Sequence, residues 1–184
     1  MRCFVALDLP SEVRRSAAAR VDPLRGEGDV RWVDQQRMHL TLKFLGEQPE
    51  SVVREMVRAL DRLPARPLDL SLGGIGRFPP RGPPRVIWVS VAGEGLDALA
   101  GAVEDAAFAL GVPRERRPFR AHMTVGRVRS ARGAARLCSA MDAVEPASAL
   151  SFRAETFALY QSVLSSRGPA YTVLARRSLG AQAS

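Results

Sequence analysis

The sequence predicts an α+β fold with mainly antiparallel strands, built on a duplicated unit. Three observations carry this reading. Segments of period-2 alternation and of helical period follow one another without the strict βαβα order of a doubly wound parallel sheet. Each half of the chain offers a strand, a helix of about a dozen residues and a short strand that begins with histidine, a rough internal repeat. A length of 184 residues, with 46% hydrophobic and 25% charged, suits one ordinary domain rather than a disordered chain or a membrane protein.

The elements follow in order. Residues 3–9 alternate as a first strand, and Pro10, Ser11 and Glu12 open a helix to about Arg20 with Ser11 as its N-cap. Residues 30–33 read as a strand, and residues 39–45 as another that Gly46 closes. Over 51–63 the residues Val52, Val53, Met56, Val57, Leu60 and Leu63 share one helical face. Strands over 68–72 and 86–91 flank a Pro/Gly/Arg-rich loop at 76–85. Leu96, Leu99, Ala100, Val103, Ala107 and Leu110 mark a helix that ends at Gly111. A strand over 121–128 and a helix over 134–144 come next, then a terminal pair of strands at 152–159 and 171–176. Residues 178–184 are expected to form a flexible tail.

Charge narrows the class of partner. The chain carries 27 basic and 19 acidic residues, net +8, which favours an anionic partner. Of the basic residues 26 are arginine and only Lys43 is lysine. Guanidinium forks suit phosphate, but a GC-rich coding sequence would also exchange lysine for arginine, so the net charge carries the argument rather than the ratio. No apolar stretch approaches the roughly 20 residues that a membrane span needs, and Asp8 interrupts the first apolar run too early for a signal peptide. The expectation is a cytoplasmic protein. Cys3 and Cys138 lack metal-site or redox spacing and read as small apolar residues.

The chain has two histidines, and both open the same pattern: His39-Leu40-Thr41-Leu42 and His122-Met123-Thr124-Val125. Threonine is scarce, with four in the chain, so two such matches are not expected by accident. In a strand, residues i and i+2 face one way. His39 therefore shares a face with Thr41, as does His122 with Thr124, while Leu40, Leu42, Met123 and Val125 point into a core. Packed with pseudo-symmetry, the four polar side chains line one cleft suited to a phosphate diester. One neutral imidazole takes a proton from water and the other, protonated, gives one to the leaving oxygen. The hydroxyls donate to nonbridging oxygens.

Other chemistries fit less well. A lone histidine on a strand reads as a structural residue, but a repeated polar pair does not. Without an HxH or HExxH spacing or a cysteine cluster there are too few ligands for zinc, and without GxSxG a serine triad leaves the second histidine unexplained. No metal or cofactor is implied.

The repeated H-apolar-T-apolar motif resembles that of the two-histidine (2H) phosphoesterase superfamily. The surroundings resemble its bacterial and archaeal RNA 2′,3′-cyclic phosphodiesterase branch, also called 2′-5′ RNA ligases. The likeness runs from residue 3 to about 177 through residues 4–10, 30–33, the extended motif 39–46 (HLTLKFLG), 84–88, 117–120, 159–162 and 168–171. It departs at Ala121, where the family has proline, and at Met123, Val125 and Gly126 in place of Leu-Leu-Ala.

The resemblance implies one bilobal, pseudo-symmetric domain over 1–184, with interleaved lobes and two antiparallel sheets around a central cleft, helices outside. It implies hydrolysis of RNA 2′,3′-cyclic phosphate ends to 2′-phosphates, with reversible 2′-5′ ligation, by a metal-independent monomer whose partner is RNA. The motifs themselves leave open which histidine is acid and which is base. The resemblance makes His39 the proton donor and His122 the acceptor, with Thr41 and Thr124 binding phosphate.

Substrate contacts are weighed at Arg127, Phe44, Arg117 and Arg120. Strict alternation turns Arg127 away from His122 unless a bulge falls at Gly126. Phe44 is a base platform or a core residue. Arg114, Arg116, Arg117 and Arg120 lie on the approach to His122, as backbone contacts or a solvated turn. Arg77, Arg81 and Arg85 sit on the Pro-rich loop, at the cleft mouth or simply at the surface. The alternatives are a 2H enzyme for another cyclic or 2′-5′-linked nucleotide, and a noncatalytic RNA-binding module, which would not require both histidines.

Overall fold

The computed structural model describes residues 1–63, 66–165 and 168–180. Among them are β1 (Arg2–Leu7), α1 (Ser11–Arg20), β2 (Val30–Trp32), β3 (Leu40–Glu47), α2 (Glu50–Asp61), β4 (Leu68–Phe78), β5 (Val86–Ala92), α3 (Leu96–Ala109), β6 (His122–Val128), α4 (Ala134–Ala143), β7 (Leu150–Ala154), β8 (Thr156–Ser165) and β9 (Gly168–Ser178). All pairings among these strands are antiparallel, as the expected α+β class requires.

The strands run in the order β7-β4-β5-β6-β3-β1-β8-β9, with β2 added on β6. This order is a mirror. The run β6-β5-β4-β7 on one side repeats β3-β1-β8-β9 on the other. The two halves join through one residue pair, Leu40 opposite Met123, both fully buried. The two sheets that the resemblance implies are thus continuous, one sheet with a narrow seam, because β2 takes over as partner of β6 at Gly126 to Val128.

Only Glu155 separates β7 from β8, although β7 pairs with β4 and β8 with β1. One residue spans at most about 3.6 Å, so the sheet must curl until its two sides approach. The single strand expected over 152–159 is corrected to these two. Phe152, Ala154, Phe157 and Leu159 are all buried and no Gly or Pro intervenes, so only the step of the buried positions from even to odd numbers marks the change of partner.

Three smaller expectations are also corrected. Pro10, not Ser11, is the N-cap of α1. Its ψ of 148° is extended, its carbonyl accepts the first helical bond from Arg14, and Ser11 makes no capping bond. The Pro-rich loop starts only at Pro79, because Gly76 and Arg77 belong to β4. Gly76 is a strand residue that makes room: a Cβ there would lie 2.2 Å from the Trp88 ring. The tail starts later than expected, since Ser178 ends β9 and the buried Leu179 donates its N–H to the Glu155 carbonyl. Residues 181–184 of that expectation lie outside the described residues.

The core lies between the helices and one face of the sheet. Helix α2 contributes Val53, Met56 and Leu60, and α3 contributes Leu99, Ala100, Val103 and Ala107, stripes at helical spacing. They cover Val5, Leu7, Leu40, Ile87, Val89, Met123 and Val125. Cys3 and Cys138 are free thiols. Among the described residues no helix is long and apolar enough to cross a membrane.

One charge sits inside this core. Lys43 is 2% exposed. Its Nζ donates to Glu104 Oε1 at 3.1 Å and to the Pro113 carbonyl at 2.8 Å, with Glu115 at 3.6 Å. The Glu104 carboxylate also accepts the Glu115 N–H at 2.7 Å. These bonds tie β3 to α3 and to the segment that leads into β6. A buried ammonium is tolerable only when paired in this way, and removing one partner strands the other. Lys43→Met is therefore expected to lower the urea unfolding free energy by about 3–5 kcal/mol. The double variant Lys43→Met/Glu104→Leu should recover much of that loss. Equal losses in both would assign the effect to packing of the lysine stem rather than to the ion pair.

Candidate active site

The seam builds the site. Leu40 and Met123 are paired on the core face, and each follows a histidine that faces the other way. Continuing the antiparallel register sets His39 across from Thr124 and Thr41 across from His122. The two histidines are then diagonal neighbours, a relation that sets the two residues roughly 7–8 Å apart in a regular ladder, with their Cβ atoms somewhat closer. They are close enough for a charge on His122 to act on His39.

Both motifs carry the same irregularity. In β1–β3 the pairing steps from Ala6–Thr41 to Val5–Lys43, leaving Leu42 as an extra residue. In β5–β6 it steps from Trp88–Thr124 to Ile87–Gly126, leaving Val125 extra. A bulge inverts the alternation beyond it. Phe44 and Arg127, each five residues after its histidine, therefore return to the histidine face. This settles the alternation question for Arg127. It is exposed and pairs with Val86 on one side and Arg31 on the other. Phe44 is 54% exposed, so it is not a core residue. The second bulge packs against β2, where a Cβ on Gly126 would come within 2.9 Å of Val30.

Each imidazole is held by the same contact. His39 Nδ1 lies 2.7 Å from the Arg37 carbonyl, and His122 Nδ1 lies 2.7 Å from the Arg120 carbonyl. A carbonyl only accepts, so Nδ1 carries the proton in both rings and Nε2 is left for chemistry. His39 packs against Phe4 at 4.7 Å between centroids and edge-on to Tyr171 at 5.2 Å. His122 meets Phe78 edge-on at 5.1 Å and Trp88 at 6.1 Å. Burial among these rings holds both histidines below their ordinary value, and the charge of Arg127 lowers both further.

A second layer fixes the rings around His39. Phe4 stacks on Tyr160 at 5.2 Å and 13°. The Tyr160 hydroxyl donates to Asp8, whose carboxylate also accepts from Thr156 Oγ1 at 2.9 Å and Arg176 Nε at 2.8 Å. Burial first, and then Asp8, pushes the Tyr160 phenol up to about 12. Nothing singled out Phe4, Phe78, Trp88, Tyr160 or Tyr171 in the sequence reading. Phe4, Trp88, Tyr160 and Tyr171 lie within the segments of resemblance, and that was their one signal.

The remaining arginines fall elsewhere. Arg117 and Arg120 are exposed before β6; among the described residues neither guanidinium has a hydrogen bond or ion pair, and neither shifts His39 or His122. Arg116 is likewise exposed, and Arg114 pairs with Asp105 at 2.7 Å and lies over Phe108. Arg77 shares the core-side face with Ile87 and meets Asp142 at 3.4 Å, so it does not line the cleft. Arg81 and Arg85 are exposed on the loop. No group of three or more His, Cys, Asp or Glu side chains among the described residues is placed to hold a metal ion.

The family model described as LigT-like phosphoesterase matches the chain twice, over residues 7–88 and 89–171. An Archaeoglobus fulgidus protein named RNA 2′,3′-cyclic phosphodiesterase is 35% identical over 93% of this chain and 96% of its own. A Thermus thermophilus protein of the same name is 36% identical over 97% of this chain and 90% of its own. Among solved structures, TT0787 of Thermus thermophilus superposes with a TM-score of 0.78 at 34% identity, covering 97% of this chain and 98% of that one. Escherichia coli LigT complexed with 3′-AMP gives 0.79 at 28% identity, covering 98% of both chains.

The shared influence of Arg127 is testable without turnover. In an NMR titration of the free protein both histidines should titrate below their ordinary value near 6.5. Arg127→Gln should raise both pKa values. A variant in which neither moves would remove Arg127 from the site.

Proposed function

The chain belongs to the LigT-like phosphoesterase family, and we propose that it hydrolyses RNA 2′,3′-cyclic phosphate ends to 2′-phosphates by two-histidine acid–base catalysis. The observation that carries this reading is the paired geometry of His39 and His122. Each ring is fixed through Nδ1 by the carbonyl two residues before it, and both Nε2 atoms are left on one face.

In the proposed step His122 Nε2 takes a proton from water as the oxygen attacks phosphorus. The bond from phosphorus to O3′ breaks, and His39 Nε2 gives its proton to that oxygen. The product keeps its phosphate on O2′. This assignment of acid and base follows the family resemblance. Thr41 and Thr124 donate to the nonbridging oxygens, each bond to a charged group being worth about 1.5–3 kcal/mol. Arg127 answers the growing charge on the same oxygens. Phe44, exposed on this face, offers a ring to the terminal base. Arg117 and Arg120 enter only as exposed cations near the approach to His122. A 5′-hydroxyl in place of water, with O3′ again leaving and taking the His39 proton, gives a 2′-5′ linkage, the joining reaction.

The direct experiment is to incubate the purified protein with a short RNA bearing a 2′,3′-cyclic phosphate and identify the product isomer. A 2′-phosphate is expected, and a 3′-phosphate would contradict the step above. His39→Ala and His122→Ala should each lower turnover by about 10² to 10⁴. Activity should survive EDTA, since both proton transfers are supplied by imidazole. Loss in EDTA with recovery on added zinc or manganese would overturn the mechanism.

A further inference from the structure

Arg127 does not stand alone on its strand. Arg31 is its cross-strand partner in β2, and Arg129 lies two residues further along the extended chain, on the same face. The ladder continues past β6, with the Arg129 N–H donating to the Asp29 carbonyl at 2.9 Å and the Asp29 N–H to the Arg132 carbonyl at 3.2 Å. It ends at a cavity of about 340 Å³ at the start of α4, lined by Asp29, Arg129, Arg132 and Arg136 with glycines between them.

The charges in that cavity do not cancel. Asp29 is the lone acid of the lining. Its Oδ1 accepts from Arg129 at 2.6 and 2.9 Å and its Oδ2 from Ser130 at 2.7 Å. The Ser130 and Arg129 bonds, with the nearby charge of Arg132, hold its carboxyl below the usual range. Asp29 therefore stays ionised and consumes one arginine. Arg132 and Arg136 have no ion-pair partner among the described residues, so the cavity keeps two cations. The glycines let the cavity's two sides pack closely: a Cβ on Gly133 would come within 3.0 Å of the Glu27 carbonyl, and one on Gly28 within 3.2 Å of the buried Leu137.

We infer that this cavity is a second phosphate subsite, which holds the RNA backbone several nucleotides to the 5′ side of the cyclic end. The inference rests on the phosphodiesterase reading for its direction, since a 3′-terminal cyclic phosphate has chain on its 5′ side alone. The distance fits. Seven steps of extended strand separate His122 from Arg129, roughly 23 Å. Stacked nucleotides advance about 3.4 Å each, so an octanucleotide reaches the cavity and a mononucleotide does not. Between the two ends the cross-strand pair Arg127 and Arg31 supplies a pair of cations, which makes a basic track with the cavity.

The test compares Arg132→Gln/Arg136→Gln with wild type on two substrates, a 2′,3′-cyclic mononucleotide and an RNA octanucleotide with a 2′,3′-cyclic end. At low salt the variant should lose about tenfold in kcat/KM on the octanucleotide, with a shallower salt slope by about 1.4 for two single-strand phosphate contacts. On the mononucleotide it should match wild type within about twofold. Equal effects on both substrates, or none on either, would overturn the subsite. Fluorescence anisotropy with an octanucleotide ending in a 3′-phosphate reads the same subsite without catalysis. Weaker binding by the variant is expected and unchanged binding would refute the track, even if wild type hydrolysed neither substrate and the phosphodiesterase reading failed.

Discussion

A single residue pair organises this molecule. Leu40 and Met123 hold the two halves of the sheet together on the core face, and everything polar about the site follows from what stands next to them. Because side chains alternate, pairing these two residues inward turns the preceding histidines outward on either side of the seam. A slip of one residue in either strand would bury a histidine and expose a large apolar side chain, so core packing itself enforces the register. Chemistry and folding are specified by the same alternation.

The bulges at Leu42 and Val125 are the second device, and the two halves spend them differently. Both return the fifth residue after the histidine to the cleft: an aromatic ring, Phe44, in one half and a guanidinium, Arg127, in the other. At the bulge itself the first half turns Lys43 inward to meet Glu104 and Pro113, while the second has Gly126, pressed by Val30 and Trp32. A duplicated scaffold thus yields an asymmetric site. Both histidines are walled by aromatic rings, but one side adds the exposed Phe44 ring and the other the Arg127 cation, which is an arrangement suited to a nucleotide with a base on one side and a phosphate at the centre.

What could be read from sequence was what repeats or alternates. The two histidines and two threonines stood out because a rare residue recurred at fixed spacing, and the helices because Met56, Leu60, Leu99 and Val103 fall at helical period. Less was visible where a partner changes with no turn residue to mark it. Glu155 divides two strands in a run that stays extended and apolar on both sides. Gly76 resembled a turn residue but exists to seat the Trp88 ring. Whether Arg127 faced the cleft depended on a bulge, which is a property of pairing between strands and not of either strand alone. The carbonyl contacts of Arg37 and Arg120 could not be read at all, since backbone acceptors carry no side-chain signature.

The central claim is that two histidines, each fixed through Nδ1, divide the proton transfers of one phosphodiester cleavage. The most direct measurement is the pH dependence of kcat/KM on a 2′,3′-cyclic mononucleotide for wild type and for each His→Ala variant. A bell is expected for wild type, reporting the coupled pair in the free enzyme. Both histidines are held below their ordinary value, so the bell should centre on the acid side of about 6.5. Each variant should keep one limb and lose the other, and the two residual profiles should be complementary. Variants that both retain the full bell would contradict the account.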